Sequence, residues 1–237
     1  PIRMSRQVDH PVLRELRRSR VAQIATAVAL LYLFLGIAGP WLAPHDPLEL
    51  IAAPRLAPSA EYWMGTDEVG RDTLSRVLVG TRAAITVGFV AIGIGLLLGG
   101  MIGTAAGFYG SIVDSVAMRV MDILLAFPGL LLALAVITFL GPGMLNTMIA
   151  IGIGGIPGYA RLVRSEVLAL RNREHVLAAR AIGASNLRVM ARHILPLTAS
   201  SVLVYSTAQL ARAILTEAGL SFLGLGIQPP DPSWGAM

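Results

Sequence analysis

Residues 123–160 read ILLAFPGLLLALAVITFLGPGMLNTMIAIGIGGIPGYA, 38 residues without a single Asp, Glu, Lys or Arg. A helix crosses the roughly 30 Å hydrocarbon core of a bilayer in about 20 apolar residues. As one helix this stretch would extend about 57 Å at 1.5 Å per residue, too long for one crossing. Gly141-Pro142-Gly143 is the natural break, which predicts spans near Met118–Leu140 and Met144–Ala160. The first of these begins inside its charges, with Arg119 and Asp122 at i, i+3 near the interface. Pro128 predicts a kink within it.

Two further stretches lack charge, Val21–Pro44 (24 residues) and Ala83–Val113 (31 residues). They predict spans from Val21 to Leu42 and from Ala83 to Phe108, and a fifth follows Pro196 as far as Leu220. Overall 55% of the 237 residues are hydrophobic and 14% are charged, against about 25% charged in a soluble domain. The mean hydropathy is +0.69. A water-soluble enzyme is excluded, and the chain reads as an all-α, polytopic transmembrane bundle.

What is missing narrows the chemistry. The chain has no cysteine, so disulfides, thiol nucleophiles and thiolate metal sites are excluded. All 19 basic residues are arginine. Without a P-loop lysine to reach the β/γ-phosphates the chain is not expected to hydrolyse ATP, and a Schiff base is excluded for the same reason. His10, His45, His175 and His193 all lie outside the charge-free stretches, which argues against an intramembrane histidine site. No nucleophile–base pair or metal set occurs within the spans, so no catalytic or metal-binding residue is assigned. The net charge of +5 does not point to nucleic acid, because the arginines are distributed by topology rather than over one soluble face.

That distribution sets the orientation. The first twenty residues carry six arginines against Asp9 and Glu15, and 161–193 carries seven against Glu166 and Glu174. Residues 44–82 are net acidic. The positive-inside rule places the two basic segments in the cytoplasm and the acidic one outside, in agreement with alternation of the spans. The organisation expected is a cytoplasmic tail (1–20), a first transmembrane helix (21–43) and an external segment (44–82). A core (83–237) follows, with a cytoplasmic loop at 161–195. Within 44–82, Leu74, Val77, Leu78 and Thr81 recur at i, i+3, i+4 and i+7, which predicts a short amphipathic helix beginning near Asp72. The chain begins at Pro1 and stops just after an external segment, so a sixth helix beyond Met237 is expected.

Three groups of residues are candidates for function. Gly95, Gly99, Gly103 and Gly107 lie four apart in the second span, and such rows let helices approach closely in lipid; lining a conduit is the other reading. Arg212 and Glu217 are ionisable residues in the fifth span. Charge at membrane depth faces a partner or a water-filled path, although Glu217 lies near the outer end, where it could simply reach the interface. In the cytoplasmic loop, Glu174–Ile182 predicts a helix with Gly183 as its terminator. Ser185 or Asn186 is suited to cap a second short helix, with Leu187, Met190, Ala191 and Ile194 on one face. A short alanine-rich helix stopped by glycine makes a knob able to enter a partner's cleft.

Glu174-His-Val-Leu-Ala-Ala-Arg-Ala-Ile-Gly-Ala-Ser185, followed by His193-Ile-Leu-Pro196, resembles the cytoplasmic EAA loop of ABC importer permeases. Gly65–Arg76 (GTDEVGRDTLSR), Asp122–Gly129 (DILLAFPG), Leu215–Gly226 (LTEAGLSFLGLG) and Gln228–Gly235 (QPPDPSWG) resemble the second permease subunit of the dipeptide/oligopeptide branch. These blocks cover essentially the whole chain, in matching order. The sequence departs at Leu177, where the motif has a glutamate, and at Leu197, where relatives often carry a polar residue.

The resemblance implies a type I importer permease with a sixth helix, in the bacterial inner membrane, with its N-terminus in the cytoplasm. It implies a homologous second permease, separate ATPase subunits that bind ATP and Mg, and an external substrate-binding protein; this chain itself would bind no cofactor. The helix at 174–185 would be the coupling helix, with Glu174, Ala178, Ala179, Arg180, Gly183, Ala184 and Ser185 meeting the ATPase. Di- or oligopeptides are the expected substrates, with nickel chelates, glutathione or other small solutes as alternatives. An ion-gradient-driven carrier is the reading from another class. It would favour midplane carboxylates or an inverted repeat, and no convincing repeat is present.

Overall fold

The structure, a computed structural model, describes residues 19–237. The basic N-terminal tail, including Arg3, Arg6, Arg14, Arg17 and Arg18, lies outside the described residues. Eight α-helices follow in order among the described residues. They are α1 (Arg20–Leu42), α2 (Thr73–Tyr109), α3 (Ser111–Leu125), α4 (Gly129–Leu140), α5 (Met144–Leu170), α6 (Glu174–Ala181), α7 (Asn186–Val189) and α8 (Leu195–Phe222). A single π-helical turn, Met190–Ile194, joins α7 to α8.

The short amphipathic helix expected near Asp72 and the second span are one helix, so the boundary at 82/83 falls inside α2. Its first turn is fixed by Asp72, whose carboxylate accepts from the Ser75 amide at 2.9 Å, an N-cap that satisfies an otherwise unpaired donor. Arg76 does not end the helix, because its charge is met. Its guanidinium donates to the carbonyls of Pro47 (3.1 Å) and Pro230 (3.2 Å) and lies 3.3 Å from Asp67. A charge satisfied in this way is compatible with burial.

Three helices, α1, α2 and the α7–α8 run, are long and apolar enough to cross a membrane, and α3 with α4 makes a fourth if the bent pair is one span. Five spans were expected. The segment near Met144–Ala160 lies on α5, which runs on to Leu170; four glycines, a proline, Asn146 and Thr147 dilute its apolar character. Pro128 breaks its span instead of kinking it, with α3 and α4 meeting at 91°. Proline has no N–H to continue the ladder and pushes the residue before it out of helical geometry.

The row of glycines in α2 lies on α5. A Cβ at Gly99 would stand 2.5 Å from the Ile156 carbonyl oxygen, and one at Gly103 would collide with the Ala160 carbonyl. Gly95 faces the Tyr159 ring and Gly107 faces Arg164 and Val167. All four are buried, so this row brings two backbones together and lines no conduit. Outside the pair, α1 rests on α2 through Gly36 and Gly39 and exposes Ile24, Leu30, Phe34 and Trp41, a surface suited to lipid.

The segment between α1 and α2 is a cap tied at Asp67. Its carboxylate accepts from the amides of Val69 (2.9 Å) and Arg71 (3.0 Å) and from Arg71 Nε (2.7 Å). Burial disfavours the charge, but these bonds and the adjacent guanidinium outweigh it and hold the carboxyl below the ordinary aspartate range. A folded pKa below the unfolded one adds stability that is present at neutral pH and is lost as pH falls through the folded value. Amide exchange across 51–72, corrected for its intrinsic pH dependence, should therefore be flat between neutrality and about pH 5 and should rise in strong acid. Asp67→Asn should abolish that acid step.

Candidate functional site

The knob expected between Glu174 and Ser185 is built by its own helix ends. Beyond Ala181 the Gly183 amide donates to the Arg180 carbonyl (2.9 Å) and the Ala184 amide to the Ala179 carbonyl (3.0 Å), the paired bonds of a Schellman motif. Gly183 sits at φ +85°, a conformation that costs other residues about 1–2 kcal/mol. Ser185 caps α7, its hydroxyl accepting from the Arg188 amide at 3.4 Å. Val176 and Ala179 are buried with Phe108, Val163, Val167, Val189 and Ile194, and Ala184 packs against the same cluster. Arg180 stacks over the Phe108 ring at 4.7 Å, so the knob rests on the end of α2 and on α5.

The residues expected to act together here divide between two faces. Ala179 points into the bundle and Ala184 is half-buried, whereas Glu174, Ala178, Arg180, Gly183 and Ser185 are exposed. Sequence reasoning passed over Ile182, which is 87% exposed at the helix end. An isoleucine immediately before a terminating glycine, four residues after Ala178, was the available signal. Leu177, where the motif has a glutamate, is also exposed.

At membrane depth a cavity of about 410 Å³ lies between α2, α3–α4, α5 and α8. Phe127 and Pro128, from the non-helical joint of the broken span, line it with Gly129 at the start of α4, and so do Tyr159, Tyr205, Gln209, Arg212 and Thr216. Irregular backbone is tolerated inside a membrane only where protein buries it or where it borders water. Tyr159 and Tyr205 meet edge to face at 5.0 Å, and the Tyr159 hydroxyl donates to Ser206 Oγ at 2.9 Å. Arg212 is exposed and has no ion pair among the described residues.

Glu217 and Arg212 are not brought together. Glu217 is 1% exposed, so it does not reach the interface. Its Oε1 accepts from Ser221 Oγ (2.7 Å) and from Ser233 Oγ (2.8 Å), while Ser221 Oγ accepts from the Ile227 amide at 3.0 Å. This carboxylate pins the segment after α8 back onto the bundle. Trp234 Nε1 adds a bond to the Val77 carbonyl at 3.1 Å. Glu217→Ala should cost about 3 kcal/mol, since hydrogen bonds to a charged group are worth about 1.5–3 kcal/mol each. Thermal melting in detergent and amide exchange over 227–236 would show it, with Glu217→Gln the milder variant.

Comparison with known proteins agrees with this architecture. Residues 91–237 match the family described as binding-protein-dependent transport system inner membrane component. Residues 10–61 match the N-terminal TM domain of oligopeptide transport permease C. The chain is 43% identical over 230 residues to the glutathione transport system permease protein GsiD of Escherichia coli O1:K1 / APEC, covering 96% of this chain and 76% of that one. The protein of the same name from Shigella dysenteriae serotype 1 (strain Sd197) is 44% identical over the same coverage. Among solved structures, the inward-facing MetNI methionine ABC transporter aligns with a TM-score of 0.57 at 20% identity, covering 64% of this chain and 76% of that one. An amino acid ABC transporter with histidines aligns at 0.51 and 19% identity, covering 68% and 75%. The fold is that of ABC transporter permeases, and the ion-driven carrier weighed from sequence alone loses its support. The chain belongs to the family of inner-membrane components of binding-protein-dependent transport systems, as a multi-pass transport permease.

Proposed function

We propose that this permease forms, with a homologous second permease, the path for short peptides and peptide-like solutes, glutathione among them, into the cytoplasm. Its N-terminus and the 161–195 loop face the cytoplasm, where separate ATPase subunits bind ATP and Mg and receive α6. A binding protein delivers substrate at the outer face. The chain carries no catalytic step and binds no cofactor of its own. Transport is a rigid-body rearrangement of helices between two access states, with ATP supplying the differential free energy.

One observation supports the substrate class most directly: the cavity at the broken span, with Arg212 unpaired on its wall beside Gln209, Tyr205 and Thr216. An unpaired guanidinium at membrane depth suits a carboxylate-bearing solute, because the fork of N–H donors matches a carboxylate. Glutathione, the substrate in the name of the relatives, is itself a tripeptide with free carboxylates.

The test is ATP-dependent uptake by the reconstituted complex with its binding protein, comparing a dipeptide, its C-terminal amide and glutathione. Arg212→Gln is expected to lower kcat/KM for the free acids about tenfold, one charged hydrogen bond's worth, and to leave the amide unchanged. Equal losses for acid and amide would remove Arg212 from substrate recognition. Uptake of none of these solutes by the unmodified complex would refute the substrate class.

A further inference from the structure

A second cavity, about 540 Å³, runs between the inner halves of α2 and α8. Its wall includes Leu96, Met101, Tyr109, Met190, Leu195 and Val202. The hydroxyls of its two threonines are already committed within their own helices, Thr104 to the Gly100 carbonyl (2.7 Å) and Thr198 to the Leu195 carbonyl (2.9 Å). Apart from the Tyr109 hydroxyl at one end, the wall therefore offers hydrocarbon contact and no free side-chain hydrogen-bonding group. Along α2 it extends from Leu96 to Tyr109, about 20 Å of helix at 1.5 Å per residue, against about 15 Å for one leaflet's half of the hydrocarbon core. That is the reach of one lipid tail from headgroup level towards the bilayer centre.

The rim at one end of this groove is cationic. Leu187 and Ala191 line it, and Arg188 and Arg192 are the next residues on the same turns, both exposed. Neither guanidinium has a carboxylate partner among the described residues. Tyr109, at the same end, is the residue type that settles at the headgroup level of a bilayer. An apolar slot of one tail's length with two unpaired arginines at its mouth fits one class of molecule. We propose that this groove holds the acyl chain of an anionic phospholipid, its phosphate met by Arg188 and Arg192. A neutral lipid would use the slot and not the rim, while a partner helix would leave both arginines without a counter-charge.

The site would tie lipid composition to the knob, since Met190 packs against the buried cluster that seats α6. The experiment uses the assembled complex in nanodiscs, which present lipid to both faces and so give an answer that does not depend on orientation or substrate. The probe is phosphatidylglycerol bearing a diazirine on its acyl chain, beside the matching phosphatidylcholine. Crosslinks mapped by mass spectrometry should concentrate on peptides containing Met101, Met190 and Leu195. The yield should be roughly thirtyfold higher for phosphatidylglycerol, given about 1 kcal/mol for each of two arginines near an anionic surface. Arg188→Gln with Arg192→Gln should remove that preference, and Ala199→Trp, which fills the slot, should remove the labelling.

Equal labelling of groove and α1 peptides, or equal yield from the two lipids, would overturn the proposal. So would an efficient crosslink from Ala199→Cys to another subunit, which this cysteine-free chain makes straightforward to read. That last outcome would assign the groove to a protein partner and leave the transport reading untouched.

Discussion

Gly103→Leu should lower the melting temperature of the detergent-solubilised protein by about 6–12 °C. The obstacle is the Ala160 carbonyl, a backbone group inside α5 that cannot swing aside as a side chain would. Overpacking costs about 1–3 kcal/mol where side chains can adjust, and a backbone obstacle puts this site at the upper end. Each kcal/mol corresponds to roughly 2–4 °C for a chain of this size. Gly99→Leu meets the Ile156 carbonyl at 2.5 Å and should behave alike. Gly93, in the same helix with no atom within 4 Å of its missing Cβ, is the control, and Gly93→Leu should melt as the unmodified protein does. If all three variants melt together, the glycine row is not what joins α2 to α5.

Ile182→Glu is expected to leave the bundle folded and yet to reduce ATP-driven uptake more than tenfold. Burying an isoleucine in a partner's cleft is worth about 1.5–3 kcal/mol, and a carboxylate in its place adds a desolvation cost. The loss should appear as weaker recovery of ATPase subunits, or as ATP hydrolysis no longer linked to transport. Gly183→Arg should act in the same direction, through bulk at the knob's tip and through the strain of a positive φ. Val176→Glu is the contrasting variant. Its side chain is fully buried, so it should unseat α6 and destabilise the whole chain. Normal coupling in Ile182→Glu would show that α6 does not dock by this end.

The reading of the sequence was most successful where one local cause acts alone. Charge-free runs mark the helices of the bundle, and Gly183 ends α6 because its own backbone conformation does so. It was weakest where the cause is distant in the chain. Arg76 argued for a short helix separate from the span because the groups that satisfy it, the carbonyls of Pro47 and Pro230 and the Asp67 carboxylate, come from other segments. Glu217 looked interfacial because its donor Ser233 lies sixteen residues away. Pro128 announced a disturbance, but only the packing of α4 beside α5 and α8 decides between a kink and a right-angled break. The difference between Ala178 and Ala179 arises from which side of α6 meets Val167 and Ile194, and no property of two neighbouring alanines encodes that.

The continuity of α2 has a mechanical meaning. Its 37 residues form a rod about 55 Å long, clamped at one end by Asp72 and Arg76 and bearing at the other the Phe108 ring on which Arg180 rests. Every backbone hydrogen bond along it resists stretching, so a push at the Phe108 end cannot be absorbed midway and must emerge as tilt. Pivoting about its glycine seam, centred near residue 101, a tilt of about 5° would swing the Tyr109 tip by about 1 Å and the Thr73 tip by about 4 Å, in opposite directions. In this geometry α2 is a lever with its fulcrum on α5, and the cap tied at Asp67 rides on its longer arm.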